Sequence, residues 1–181
     1  MKPRHISNED ITAPLMQQPI SGRGSQASVR SSQGVKVEES VVITRPPAEL
    51  FAFWRNFENL PRVLQHVESV KIIDGGRSHW RAHRPNGGEV EWDAEIINEH
   101  PNELIAWRTL EGSDVHHAGT IRFAPQPDGR GTQVKLAMEY EAPGSKFIQA
   151  LAKLFGRSVE QQVREDLRRF KQLMETGESP P

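Results

Sequence analysis

Residues 145–175, SKFIQALAKLFGRSVEQQVREDLRRFKQLME, carry a single helical stripe. Ile148, Leu151, Phe155, Val159, Val163, Leu167, Phe170 and Met174 recur at steps of three or four, which gathers them on one face of a helix. Lys153, Arg157, Arg164, Arg168, Arg169 and Lys171 fall on the flanks and far side. Pro143 and Gly144 precede the run and Gly177 follows it, so both ends have a stop. At 1.5 Å per residue the run predicts a rod of roughly 45 Å. The steps are not a strict heptad and Gly156 falls mid-run, which favours packing on a sheet over a coiled coil.

The middle of the chain supplies that sheet. Between His66 and Ala142, turn signals stand at Asp74-Gly75-Gly76, Pro85-Asn86-Gly87-Gly88, His100-Pro101-Asn102, Glu111-Gly112-Ser113-Asp114 and Asp128-Gly129-Arg130-Gly131. The segments between them alternate apolar and polar residues, predicting consecutive strands joined by hairpins and paired in sequential order. One face collects Val70, Ile72, Trp80, Ala82, Val90, Trp92, Ala94 and Ile96. It continues through Ile105, Trp107, His117, Gly119, Ile121, Phe123, Val134, Leu136, Met138 and Tyr140. The other face carries Arg81, Glu91, Asp93, Glu95, Arg108, Arg122, Lys135 and Glu139, so one side is wet and one buried. A further strand precedes these, with Val37, Val41 and Ile43 on one face and Glu39 among them. After it, Pro46-Pro47 opens a short apolar helix through Leu50, Phe51, Phe53, Trp54 and Phe57, with Thr44 or Arg45 standing outside. Asn56 or Asn59 caps a second short helix through Leu60, Pro61, Val63 and Leu64.

Composition bounds the rest. A chain of 181 residues with 35% hydrophobics can bury one core. Lys and Arg number 23 against 24 Asp and Glu, which gives no electrostatic signature for nucleic acid. There is no cysteine, so thiolate chemistry and disulfides are excluded. No apolar run approaches a membrane span, and MKPRHISNEDITAPLMQQPI lacks the apolar core of a secretory signal. The expectation is a soluble, cytoplasmic protein with no integral membrane segment, which leaves transient membrane contact open. Residues 1–34 are rich in Ser, Gln, Gly, Pro and Arg without period and are expected to be a disordered tail. The folded domain is expected at 35–176, with a short disordered C-terminus at 177–181.

This order is the helix-grip arrangement: an α+β fold whose seven-stranded antiparallel sheet wraps round a long C-terminal helix, with two short helices after the first strand. The wording of the chain also resembles the START-like (SRPBCC) superfamily, in its polyketide cyclase/dehydrase and coenzyme Q-binding-like branch. Arg45-Pro46-Pro47-Ala48-Glu49-Leu50-Phe51-Ala52-Phe53-Trp54 is similar to that branch's opening, and Phe57-Glu58-Asn59-Leu60-Pro61-Arg62-Val63-Leu64 to the passage that follows. Trp92-Asp93-Ala94-Glu95-Ile96, Gly119-Thr120-Ile121-Arg122-Phe123 and residues 161–171 continue the match, which covers about residues 36–175. The resemblance implies a cavity between sheet and long helix that takes up an apolar or aromatic molecule. In the branch named after coenzyme Q, that molecule is an isoprenoid quinone.

Parity also suggests neighbours: Trp80 opposite or diagonal to Trp92, Trp107 beside His117, and His117 beside Tyr140. With Trp54 and Met138 these residues form the candidate ligand-binding set, whose flat apolar walls and few polar points suit a ring bearing carbonyl oxygens. The competing reading is that the tryptophans simply fill core. His117, Tyr140 and Glu39 are the candidates for acid–base work; Glu39 reads equally as a salt-bridged residue near a strand end. No metal site is expected, since His79 and His83 would lie roughly 13 Å apart on a strand, His116 and His117 point to opposite faces, and no carboxylate–histidine cluster has chelating spacing. No phosphate loop, nucleophile elbow or dinucleotide fingerprint is present, so no cofactor is expected. Three functions compete: a binding or carrier module for a hydrophobic small molecule (lipid, isoprenoid quinone or polyketide-like), a cyclase/dehydratase-type enzyme, and an interaction protein with an unspecified protein partner.

Overall fold

Alternating segments joined by tight turns satisfy their backbone hydrogen bonds best as an antiparallel sheet. The computed structural model, which describes residues 35–83, 87–113, 115–140 and 158–178, contains one. In chain order the elements are β1 (Val35–Ile43), α1 (Pro47–Arg55), a 3-10 helix (Phe57–Arg62), β2 (Val67–Ile72), β3 (Arg77–His83), β4 (Glu89–His100), β5 (Leu104–Thr109), β6 (His117–Pro125), β7 (Thr132–Tyr140) and α2 (Val159–Thr176). The seven strands lie in the order β1-β7-β6-β5-β4-β3-β2. Strands β2 to β7 are therefore sequential, as the hairpin turns predict, and β1 closes the far edge by pairing with β7. This is the expected α+β helix-grip architecture. No helix among the described residues is long and apolar enough to cross a membrane.

The two short helices depart from expectation in detail. Pro46 is the N-cap of α1, in extended conformation, with Pro47 in the first turn. Thr44 and Arg45 both stand outside it, as expected, and Thr44 is occupied elsewhere. Its N–H and hydroxyl both donate to Glu175 Oε1, at 2.8 and 2.7 Å, tying the end of β1 to the end of α2. Asn56, rather than Asn59, caps the second helix by accepting from the Glu58 N–H, and this helix is a 3-10 turn that stops at Arg62, short of Leu64.

The terminal helix is shorter than the stripe. Ser158 is an extended N-cap (φ −65°, ψ 144°) whose side chain accepts from the Gln161 N–H, so α2 begins at Val159 and the uninterrupted rod from 145 does not hold. The predicted positions Ile148, Leu151 and Phe155 lie outside the described residues, as do the tail 1–34 and residues 179–181. Gly177, at φ 78°, closes the helix with its N–H on the Leu173 carbonyl. The remaining 18 residues span about 27 Å and bury Val163, Leu167, Phe170 and Leu173. Phe170 is fully buried between Phe53 and Trp54, with ring centroids 5.3 and 5.2 Å away.

Parity describes the sheet well, except on β2. A bulge between Val67 and Ser69 turns both Val67 and Val70 inward, and Ile72, expected inside, is 41% exposed on this edge strand. On the wet face, Arg81 meets Glu91 at 2.9 Å, His79 meets Asp93 at 2.7 Å and Arg108 meets Glu95 at 2.7 Å. These cross-strand pairs are largely exposed and screened by water, so they add little to stability.

Candidate functional site

The register of β3 on β4 sets Trp80 opposite Trp92, and their rings stack at 5.8 Å and 16°. The Trp80 N–H donates to the buried Ser78 hydroxyl at 2.8 Å. Phe57, delivered by the 3-10 helix, packs on Trp80 and edge-on against Trp107. Across β6 and β7, His117 pairs with Tyr140 as expected, with ring centroids 5.8 Å apart, and its other side meets Trp92 at 5.8 Å.

Trp107 is not directly beside His117. Its partner across the ladder is Gly119, two residues further along β6. A Cβ at that glycine would sit 2.3 Å from Trp107 Cζ2 and 2.7 Å from Met138 Sδ, so a bare backbone lets the indole lie flat there. Gly119→Ala should cost about 1–3 kcal/mol of stability, because the indole must tilt toward the cavity or the strands must part. Urea unfolding of the variant checks this, and an unchanged midpoint would mean the indole has room to spare.

Between this face and α2 lies a cavity of about 80 Å³. Trp54, Trp80, Trp92, Trp107, His117, Met138 and Tyr140 all line it. That volume holds roughly five waters and is well below the several hundred Å³ of a drug-sized site. The space between sheet and helix is thus not solid side chain, though it is narrow.

Several lining residues lay outside the sequence-derived set, among them two polar ones from outside the sheet. Asp166 of α2 is 4% exposed, and His66 comes from the segment before β2. Asp166 Oδ1 accepts from Gln162 Nε2 at 2.9 Å and more distantly from the Gln65 N–H at 3.5 Å. Its Oδ2 lies 3.9 Å from His66 Nδ1. Asp166 occupies the buried face because it falls three residues after Val163 and four before Phe170. The helical steps pointed there, but its charge argued for the surface.

Glu39, by contrast, does not enter the site. Its carboxylate accepts from Arg164 Nη2 at 2.5 Å and Nε at 3.1 Å on the flank of α2, and it is absent from the cavity walls. Three adjacent strands also assemble a group that sequence spacing concealed: Glu68, His83 and Glu89, exposed, with ligand-type atoms within 4.8 Å of one another. Arg81 already bonds Glu89, so the group's charge is answered from within.

Burial dominates the electrostatics. It holds the His66 imidazole down at about 4, and that of His117 likewise at about 4, with the neighbouring His66 and His116 adding to the effect. It raises the Tyr140 phenol, helped by the Asp166 charge. It pushes the Asp166 carboxyl up to about 7, against the opposing Gln162 and Gln65 hydrogen bonds and Arg169, and with Glu165. These shifts carry opposite signs in stability. A depressed histidine loses stability as pH falls from 6.5 towards 4, because the unfolded chain takes up the proton first. A raised carboxyl loses stability as pH rises from about 4 through 7, because the unfolded chain ionises first. Between pH 4.5 and 6.5 two histidines oppose one aspartate, so stability should rise with a net slope of about one proton from these groups. Asp166→Asn should steepen that slope to about two protons, measurable from urea unfolding across this range; an unchanged slope would mean Asp166 stays ionised in the fold.

An antiparallel sheet gripping a terminal helix, with an apolar cavity between them, defines a START-like helix-grip fold. The chain belongs to the polyketide cyclase/dehydrase and lipid transport family, whose model matches residues 43–168. It is 34% identical over 140 residues to an uncharacterised 17.2 kDa protein in the melC2-rnhH intergenic region of Streptomyces lincolnensis, covering 77% of this chain and 89% of the relative. Among solved structures, DR_A0006 from Deinococcus radiodurans shares 35% identity at a TM-score of 0.64, over 80% of this chain and 99% of that one. TTHA0849 from Thermus thermophilus shares 26% identity at a TM-score of 0.59, over 76% of this chain and 95% of that one.

Proposed function

We propose that the protein is a binding or carrier module that holds a hydrophobic, planar small molecule between its sheet and α2, of the isoprenoid quinone, lipid or polyketide-like kind. One observation carries the reading. The indole N–H groups of Trp54 and Trp92 are buried in the cavity wall and have no hydrogen-bond partner among the described residues. A buried donor left unsatisfied costs about 1–3 kcal/mol, which a ligand bearing acceptor oxygens would relieve. The cavity of about 80 Å³ suits one ring or a short chain segment, so a longer ligand must widen it. This reading places the protein in the cytoplasm, exchanging its cargo with membranes by transient contact.

Mass spectrometry of an organic extract of the purified protein tests it. A co-purifying isoprenoid or lipid supports the carrier, whereas an empty protein that turns over a polyketide-like substrate overturns it. The cyclase/dehydratase reading is favoured by a different observation: Asp166, His66, His117 and Tyr140 line the same cavity. His117→Ala separates the two, since a carrier loses some affinity while an enzyme loses turnover and still binds.

A further inference from the structure

The cavity has donors to spare and one carboxyl group whose second oxygen accepts no hydrogen bond from a described residue. Besides the two indole N–H groups, His117 Nδ1 is buried without a partner among the described residues. Asp166 accepts both of its hydrogen bonds on Oδ1, from amide N–H donors, and among the described residues Oδ2 has His66 Nδ1 near it, at 3.9 Å and beyond hydrogen-bond reach. An ammonium-bearing ligand could use Asp166 Oδ2 but would leave both indole N–H groups unpaired. An acceptor oxygen would instead find N–H groups in the wall and, at Asp166, a carboxylic acid O–H.

We propose that Asp166 is a ligand-anchoring residue that donates its acid proton to a carbonyl oxygen of the bound molecule, so that uptake of a carbonyl-bearing ligand is coupled to uptake of a proton. This rests on the binding reading above and adds to it the anchoring group and its chemistry. The groups facing Asp166 leave it in charge of the neutral range. His66, from the segment before β2, and His117 of β6 titrate near 4, and Tyr140 of β7 is raised above its ordinary value. Glu165 and Arg169, on α2 itself, act on it with opposite signs. Through the interval where the Asp166 proton leaves, His66, His117 and the phenol stay neutral, and the third histidine of the wall, His83 of β3, is largely exposed.

The test uses an isosteric pair of probes, acetophenone and ethylbenzene, titrated into the full-length protein by NMR between pH 5.5 and 8.5. Acetophenone should bind at least about tenfold tighter than ethylbenzene at pH 5.5. Its affinity should then fall towards tenfold per pH unit once the carboxyl ionises, as a ligand selective for the protonated form requires. Ethylbenzene should follow the opposite or no trend. Asp166→Asn, which keeps a neutral donor, should retain the acetophenone preference and lose its pH dependence. Equal affinities, or a preference that is flat or grows with pH in the unsubstituted protein, overturn the proton-donating anchor while the hydrophobic site stands. If neither probe binds at any pH, the cavity reading itself fails and takes this one with it.

Discussion

Ala82→Leu should abolish ligand uptake while leaving the protein at least as stable as before. Ala82 is 2% exposed, points from β3 into the cavity and stands opposite Val90 across the β3–β4 ladder. Leucine adds three carbon atoms to a space of about 80 Å³, so little of that space remains. Overpacking a filled core costs about 1–3 kcal/mol, whereas filling an existing void commonly adds about 0.5–2 kcal/mol. Because the void is there, the second outcome is expected: a higher urea midpoint together with loss of any co-purifying molecule. A variant that still carries its full load would show that the ligand sits elsewhere.

Phe170→Ala should remove about 3–5 kcal/mol, the usual cost of truncating a buried phenylalanine. Phe170 is 0% exposed and touches Phe53 and Trp54 of α1, so it joins the terminal helix to the first short helix at the cavity wall. Domains of this size are typically stable by about 5–15 kcal/mol, so the loss should leave a measurable unfolded fraction. Equilibrium unfolding followed by circular dichroism gives the number, and a loss below about 1 kcal/mol would mean α2 is not part of the core. Since α2 also carries Asp166, ligand affinity should weaken with the packing.

Which features could be read from sequence follows from what parity fixes. Alternation decides which face a strand residue occupies, and short turns decide its partner. Trp80 therefore met Trp92 as expected. The connection from β5 to β6 is longer and does not fix the rung. His117 and Gly119 share a face, so parity could not tell which of them lies opposite Trp107. Ile72 keeps the parity of Val70, beyond the bulge, but it ends an edge strand and so stays uncovered, which alternation does not reveal. On the terminal helix, Ser158 with Gln161 three residues on is a start signal, overridden by an apolar stripe that runs past it. Asp166 was passed over because an acid on a helix ordinarily faces water. His66 lies outside any periodic segment, so nothing in the pattern marked it.

The bond from Thr44 to Glu175 does not act alone. Arg45 Nε donates to the Met174 carbonyl at 2.8 Å and Lys171 Nζ to the Val42 carbonyl at 2.6 Å, so the last turns of α2 are riveted to the chain leaving β1. Nearer its start, the same helix is joined to β1 by the Arg164–Glu39 pair, an attachment with fewer bonds. A helix fastened firmly at one end and lightly at the other opens like a door on its hinge. Room for a ligand longer than the present cavity should therefore come from a swing of the Val159 end about the Glu175 end, with the sheet standing still as the frame.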